Sequence, residues 1–299
     1  MAPAKVFGVV VIGVGMAGKV RIRDLLTAAD NTSLGLKLVG FVSRRCDVEV
    51  EGAERLSMED AMTRSDVDAV LICSESGAHE EHIRKALDHN KHVLVEYPVA
   101  LSMPKANEFY TEAKNKGLVI HEENIALLTD DHKKLKAKAQ QSRLKNGQYI
   151  LKGNFNRWLE ELNQCGKPFS NCAAEIQSCL DAFGDLKATM ATFEKLDDVT
   201  RTAYELETTF NSKINFSVER YVANGQRKRW FEFNFEDGET VESAIGAPPS
   251  KPNPQKKGLF MQDLFLFAEK MRGERSVDDD VKLSLRSLAI TDELNDKVK

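Results

Sequence analysis

An α/β protein is predicted, with a doubly wound parallel sheet in its first half and an α+β domain with a mostly antiparallel sheet in its second. Three observations predict it. Short β-branched runs alternate with helical segments through the first half, as strand and crossover helix require. A glycine-rich turn, G-x-G-x-x-G, stands between the first strand and the first helix. The second half changes to strand-like alternation broken by Asn224-Gly225 and Asp237-Gly238. At 299 residues the chain is also long for one hydrophobic core.

Phe7 to Ile12 fits a buried parallel strand, and Val20 to Leu26 continues as a helix. Between them lie Gly13, Val14, Gly15, Met16, Ala17 and Gly18. Gly13 suits the tight turn, Gly15 the close approach of a pyrophosphate, and Gly18 the packing of helix on strand, so a Rossmann dinucleotide site is expected. Leu36 to Val42 is the second strand. An NAD enzyme usually ends it with an acid for the ribose hydroxyl, but here Ser43, Arg44 and Arg45 follow. A hydroxyl and paired guanidiniums suit a 2'-phosphate, so NADPH is expected over NADH, which stays possible.

Glu59 to Thr63 closes a short helix, and Asp68 to Cys73 is another buried strand running into Ser74, Glu75 and Ser76. Small hydroxylated residues at a strand's carboxyl end belong near the ligand crevice. His79, which opens the next helix, reads equally as a cofactor contact or as a packing and capping residue. The strand HVLVE then ends on Glu96, Tyr97 and Pro98. Pro98 stops the ladder, while Tyr97 offers a hydroxyl or an aromatic face to a flat substrate. Met103 to Lys116 is a helix, and Leu118 to His121 a fifth strand leading to Glu122 and Glu123. That acid pair suits a proton network or a helix N-terminus.

The Lys-rich stretch Asp130 to Ser142 reads as a helix with a solvated face. Beyond it, 148–156, 188–194, 203–210, 213–221 and 229–235 read as strands of the second sheet. Domains are accordingly placed at 1–125, binding the dinucleotide, and 126–299, binding the substrate.

Lys and Arg number 42 against 46 for Asp and Glu, a net charge of -4 without pull toward nucleic acid or anionic membrane. No run approaches the length of a membrane span, and no signal peptide is read at the amino terminus. The five cysteines form no C-x-x-C pair, which suits a reducing cytoplasm and predicts no metal site.

Strand, small loop, helix and then Glu96-Tyr97-Pro98 in this order resemble the glucose-fructose oxidoreductase/inositol dehydrogenase family, whose members commonly read E-K-P at this place. One branch carries E-Y-P with strings very similar to GFVSRR (40–45), ICSES (72–76), NKHVLVEYP (90–98) and HEEN (121–124), and the likeness covers residues 7 to about 135. It implies an NADPH-dependent reductase in heme catabolism. Hydride passes to the central methine carbon of biliverdin, a linear tetrapyrrole, and bilirubin results. Tyr97, Glu96, Glu122 and Glu123 then become candidate catalytic residues, with Glu96 and Tyr97 also beside the nicotinamide. Tyr97, Lys152, Arg157 and Arg227 become candidates for the substrate and its propionates, although basic residues at a hairpin edge also deter strand aggregation. A monomer in the cytoplasm is expected.

The chain departs from the family in two places. A segment that carries an arginine in that branch falls at or near Glu175, which would repel a propionate unless burial kept it protonated. The tail lacks the His and Cys residues that suit zinc in some members. Two alternatives stay open, a paralogue that binds NADPH or bilin without turnover, and a sugar or carbonyl dehydrogenase. The second lacks both the lysine of E-K-P and the helix histidine of its class.

Overall fold

The computed structural model describes residues 5–28, 34–154, 166–221, 228–243 and 257–298. They form two compact units.

The first unit holds a parallel five-stranded sheet ordered β2-β1-β3-β4-β5, from β1 (Phe7–Ile12), β2 (Leu36–Val42), β3 (Ala69–Ile72), β4 (His92–Val95) and β5 (Ile120–Glu122). Every residue of β1 and β3 is buried, as β-branched strands covered on both faces must be. The crossover helices are α1 (Met16–Thr27), α2 (Met58–Thr63), α3 (His79–Asp88) and α4 (Met103–Asn115). Strand order reverses between β1 and β3, which is where a doubly wound sheet opens a crevice at its carboxyl edge.

The second unit begins with α5 (Asp130–Ala139) and contains a six-stranded sheet ordered β11-β10-β6-β9-β8-β7. Its strands are β6 (Leu144–Asn154), β7 (Leu186–Lys195), β8 (Val199–Thr208), β9 (Lys213–Tyr221), β10 (Lys228–Phe235) and β11 (Thr240–Glu242). Only the β6/β9 pair is parallel. Alternate residues such as Tyr149, Tyr204, Phe216 and Phe233 point into a core closed by α5, α6 (Ala173–Phe183) and α8 (Asp278–Lys297). The short β11 was not foreseen, because three residues after a tight turn give too little alternation to read.

Two expectations are corrected. Residues 257–282, expected in the second domain, belong to the first unit. There α7 (Leu259–Met271) inserts Leu264, Phe267 and Ala268 among Val9, Val11, Leu71 and Leu94. The spacing i, i+3, i+4 gives α7 an apolar stripe whose only home is the parallel sheet. The face of α5 is also less solvated than expected. His132, Leu135 and Lys138 are buried, His132 against Asp181 at 2.8 Å and Lys138 against Asp237 and Glu239 at 2.6 Å each.

Candidate active site

The glycine turn has a distinct constraint at each glycine. Gly13 has φ of +93°, and a Cβ there would lie 2.7 Å from the Cys73 carbonyl oxygen. A Cβ on Gly18 would lie 2.0 Å from the Gly13 carbonyl oxygen, so helix and turn could not close on any larger residue. Gly15, the N-cap of α1, meets nothing within 4 Å. No side chain caps α1, its first turn carries no acid, and Met16 is exposed. Open space over uncapped amides at a twelve-residue helix is what a diphosphate requires. Val14 is buried and Ala17 half-buried, so their contribution lies in the backbone.

At the end of β2 the backbone N–H of Arg45 donates to Ser43 Oγ at 3.2 Å, and Arg45 Nη2 donates to the Val14 carbonyl at 2.8 Å. This ties the basic turn to the glycine turn. Arg44 is largely exposed, with Nη2 2.7 Å from Glu75 Oε1. Arg55, which sequence reasoning missed, donates to the carbonyls of Ser43 at 3.0 Å and Val48 at 2.9 Å. No acid closes β2, so the turn fits a phosphate better than a bare ribose.

Beyond β3 the Ser74 hydroxyl lies 3.1 Å from His82 Nδ1, while Ser76 is buried. His79 is turned into the protein. It is 1% exposed, and its ring nitrogens lie 2.8 Å from the Pro98 carbonyl and 3.0 Å from that of Ser74. Burial pushes its pKa down, so a neutral ring staples the two loops.

The carboxylates beside Tyr97 face the protein. Glu96 Oε1 accepts from Arg21 Nε at 2.8 Å and forms an ion pair with Nη2 at 2.8 Å. Glu122 Oε1 accepts from the Val99 amide at 2.7 Å, and Glu123 Oε1 from the Ile125 amide at 2.7 Å. Glu123 is 1% exposed, and burial beside Glu96 and Asp263 raises its pKa well above the ordinary range. Glu123 is thus a buried acceptor for the backbone, with its carboxylate facing the protein. Glu96 and Glu122 fix the backbone on either side of Tyr97. Tyr97 itself is half-buried and joined to Pro98 by a cis peptide bond.

Behind Glu96 runs a chain of charged hydrogen bonds that the sequence reading did not foresee. The buried Arg21 donates through Nη2 to Asp263 Oδ2 at 2.8 Å. Asp263 Oδ1 lies 2.7 Å from His121 Nε2, and Lys270 Nζ donates to His121 Nδ1 at 2.6 Å. Lys270 also pairs with Asp280. A lysine donor at Nδ1 leaves the histidine proton on Nε2, aimed at Asp263. Burial accordingly holds the His121 pKa down, while His121 and Arg21 offset burial and hold Asp263 at about 2. The one signal in the sequence was a charge within each apolar helix, Arg21 in VRIRDLL and Asp263 in LFMQDLF.

In the second unit Lys152 pairs with Glu219 at 3.0 Å. Arg157 and Arg227 lie outside the described residues. A cavity of about 160 Å³ opens between α5, α6 and the sheet, walled by Leu135, Tyr149, Phe231 and Phe233 with Arg229 among its lining. Arg229 Nε donates to the Tyr149 hydroxyl at 2.7 Å, and Nη2 lies 3.9 Å from Glu175 Oε1. Glu175 is buried, and burial pushes its pKa up against the pull of Arg229.

Residues 7–124 match the model of an oxidoreductase family with an NAD-binding Rossmann fold. Human biliverdin reductase A is 34% identical, with 98% of this chain and 96% of that protein covered. The mouse biliverdin reductase A is 36% identical over 93% and 90%. The crystal structure of biliverdin reductase from Synechocystis sp. PCC 6803, in complex with biliverdin and NADP+, has a TM-score of 0.81 at 20% identity and 99% coverage of both chains. A scyllo-inositol dehydrogenase from Lactobacillus casei shares the fold at a TM-score of 0.77 and 15% identity. With a third of its residues shared along nearly the whole of both curated relatives, the chain belongs to the biliverdin reductase A family of Rossmann-fold oxidoreductases.

Proposed function

We propose that this chain is an NADPH-dependent biliverdin reductase that reduces the central methine carbon of biliverdin and releases bilirubin. The observation that carries the reading is the match to two curated relatives of that name along almost the entire chain. The geometry supports it. Gly13, Gly15 and Gly18 shape an open, uncapped helix start for the diphosphate, and Ser43, Arg44 and Arg45 present a hydroxyl and two cations where an NAD enzyme would carry an acid.

When bound, the reduced nicotinamide supplies the hydride, and the protein's part is placement and a proton for a pyrrole nitrogen. Ser74 lines the crevice, and Tyr97 closes it with a phenol that Glu96 and Glu122 hold in place through the backbone. A tyrosine here cannot act as the cation of E-K-P, which removes the device that serves a sugar hydroxyl. With an ordinary pKa near 10, a phenol donates hydrogen bonds at neutral pH and presents its face to a flat tetrapyrrole. The reading includes a monomer acting in the cytoplasm, which light scattering and cell fractionation check.

The test is to mix the protein with NADPH and biliverdin and follow the bilin absorption. Bilirubin is expected, faster with NADPH than with NADH. The Arg44→Ala/Arg45→Ala double variant should raise the KM for NADPH by about tenfold or more while leaving that for NADH nearly unchanged. Glu175 favours a second reading, a paralogue that binds bilin without turnover, because it stands where the family carries arginine. A shifted spectrum without bilirubin would select it.

A further inference from the structure

The basic turn after β2 is organised from behind by Arg55. Residues 54–56 run alongside the end of β2, where the Phe41 amide donates to the Glu54 carbonyl and the Leu56 amide to the Phe41 carbonyl, each at 2.8 Å. The two segments pass so closely that a Cβ on Gly40 would lie 2.6 Å from the Glu54 carbonyl oxygen. The backbone of Arg55 is therefore fixed against the last residues of the strand. Its guanidinium carbon lies 5.6 Å from the Phe41 ring centroid.

From that base the guanidinium reaches three carbonyls of the turn. Nη1 donates to Ser43 at 3.0 Å, and Nη2 donates to Arg45 at 2.5 Å and to Val48 at 2.9 Å. A planar fork suits this task, because its donors diverge from one rigid group, whereas a lysine would bring a single nitrogen. Two consequences bear on a phosphate. Carbonyl oxygens gathered on a cation no longer turn their partial negative charge toward an incoming anion. The backbone from Ser43 to Val48 is also held in the shape that lets the Ser43 hydroxyl accept the Arg45 N–H at 3.2 Å and lets Arg45 Nη2 reach the Val14 carbonyl at 2.8 Å. The bare ribose of NADH carries no charge at that place and gains little from either.

We propose that Arg55 is a positioning residue for cofactor choice: by gathering the carbonyls of Ser43, Arg45 and Val48 it holds the turn in the form that takes a 2'-phosphate, and so sets the preference for NADPH over NADH. The proposal rests on the reading of this turn as the 2'-phosphate site of an NADPH-dependent reductase. Arg55 acts through Ser43 and Arg45 and far from the hydride, so its loss should act on the KM for NADPH and leave kcat nearly unchanged.

The test titrates the full chain with NADPH and NADH, and with 2',5'-ADP and 5'-AMP, which differ in the same 2'-phosphate, and measures KM and kcat with biliverdin. The wild type should bind the phosphorylated member of each pair more tightly. Arg55→Gln should weaken NADPH and 2',5'-ADP by about tenfold while NADH and 5'-AMP stay within about twofold, and those two serve as the check that the variant is folded. Arg55→Lys keeps the charge and loses the fork, so it should recover only part of the preference. Arg64→Gln removes a guanidinium that pairs with Glu54 and Asp66 outside the turn, and it should leave the preference as it is. If Arg55→Gln weakens both members of each pair alike, or neither, Arg55 has no part in cofactor choice, while bilirubin formation by the wild type still upholds the reductase. A preference fully restored in Arg55→Lys, or lost equally in Arg64→Gln, would assign the effect to charge alone and overturn the positioning role. A wild type that does not reduce biliverdin still decides the inference through the titrations. A wild type without preference for the 2'-phosphate overturns both the cofactor reading and the inference.

Discussion

Two clusters of buried charge, one in each unit, are built on opposite principles. In the first unit Arg21, Glu96, Asp263, His121 and Lys270 meet in a continuous series of short hydrogen bonds. In the second, the buried Glu175 pairs at 3.9 Å with Arg229, whose side chain is partly exposed. The first cluster is closed, and every charge answers another. In the second the guanidinium donates to a phenol at 2.7 Å and stands 3.9 Å from its acid. A closed cluster fixes backbone, and removing one member leaves the others buried and unanswered.

The largest test of this contrast is Arg21→Met, which leaves Glu96 and Asp263 buried without their shared cation. It should cost about 3 to 5 kcal/mol in urea unfolding. Arg229→Ala should cost under about 1 kcal/mol, since the side chain is partly exposed. Equal losses would erase the distinction between the clusters.

A pH titration of stability sharpens it. Asp263 has its folded pKa depressed to about 2, so its contribution is present above its ordinary value of 3.8 and is lost as pH falls through about 2. That contribution is about 2 kcal/mol, and Asp263→Asn should abolish this part of the acid transition. Glu123 has the opposite sign. Its folded pKa is raised, so its contribution is full below its ordinary value of 4.5 and is lost as pH rises through the folded value. Glu123→Gln keeps the acceptor for Ile125 and should therefore raise stability at pH 8 relative to pH 4, read by urea unfolding at the two pH values. The smallest effect is expected of Glu175→Gln, which removes a buried acid that would repel a propionate. A slight gain in bilin affinity is expected, read by titrating biliverdin into the protein without NADPH, and a weaker affinity would mean that Glu175 assists the ligand.

Much of the first unit was legible because its signals are local. The run Phe7 to Ile12, the three glycines and Ser43-Arg44-Arg45 each state their geometry within a few residues. The buried partners were not legible in that way. His79 reads as a crevice residue from its place after β3, and only the tertiary fold shows both ring nitrogens against carbonyls. The carboxylate of Glu96 looks catalytic beside Tyr97, because its partner Arg21 becomes a neighbour only after packing, while that of Glu123 folds back on the amide of Ile125, a local bond that the residue types do not announce. Asp263 lies 242 positions from Arg21, and no periodicity links helices so far apart. In the second unit alternation revealed the strands 188–194 and 213–221, while Arg229, in a basic run at the start of β10, could not be told from an edge charge until Tyr149 was seen beneath it.

The helix α7 also sets an order of events during synthesis. The parallel sheet is complete in sequence by residue 122, yet its core and the charges of Arg21 and His121 await Leu264, Phe267, Asp263 and Lys270. At ordinary elongation rates that delay is on the order of ten seconds. Through it the nascent dinucleotide sheet presents an apolar face, and an arginine answered by Glu96 alone, to the cell's chaperones. A fragment ending at residue 125 would keep that exposed state permanently.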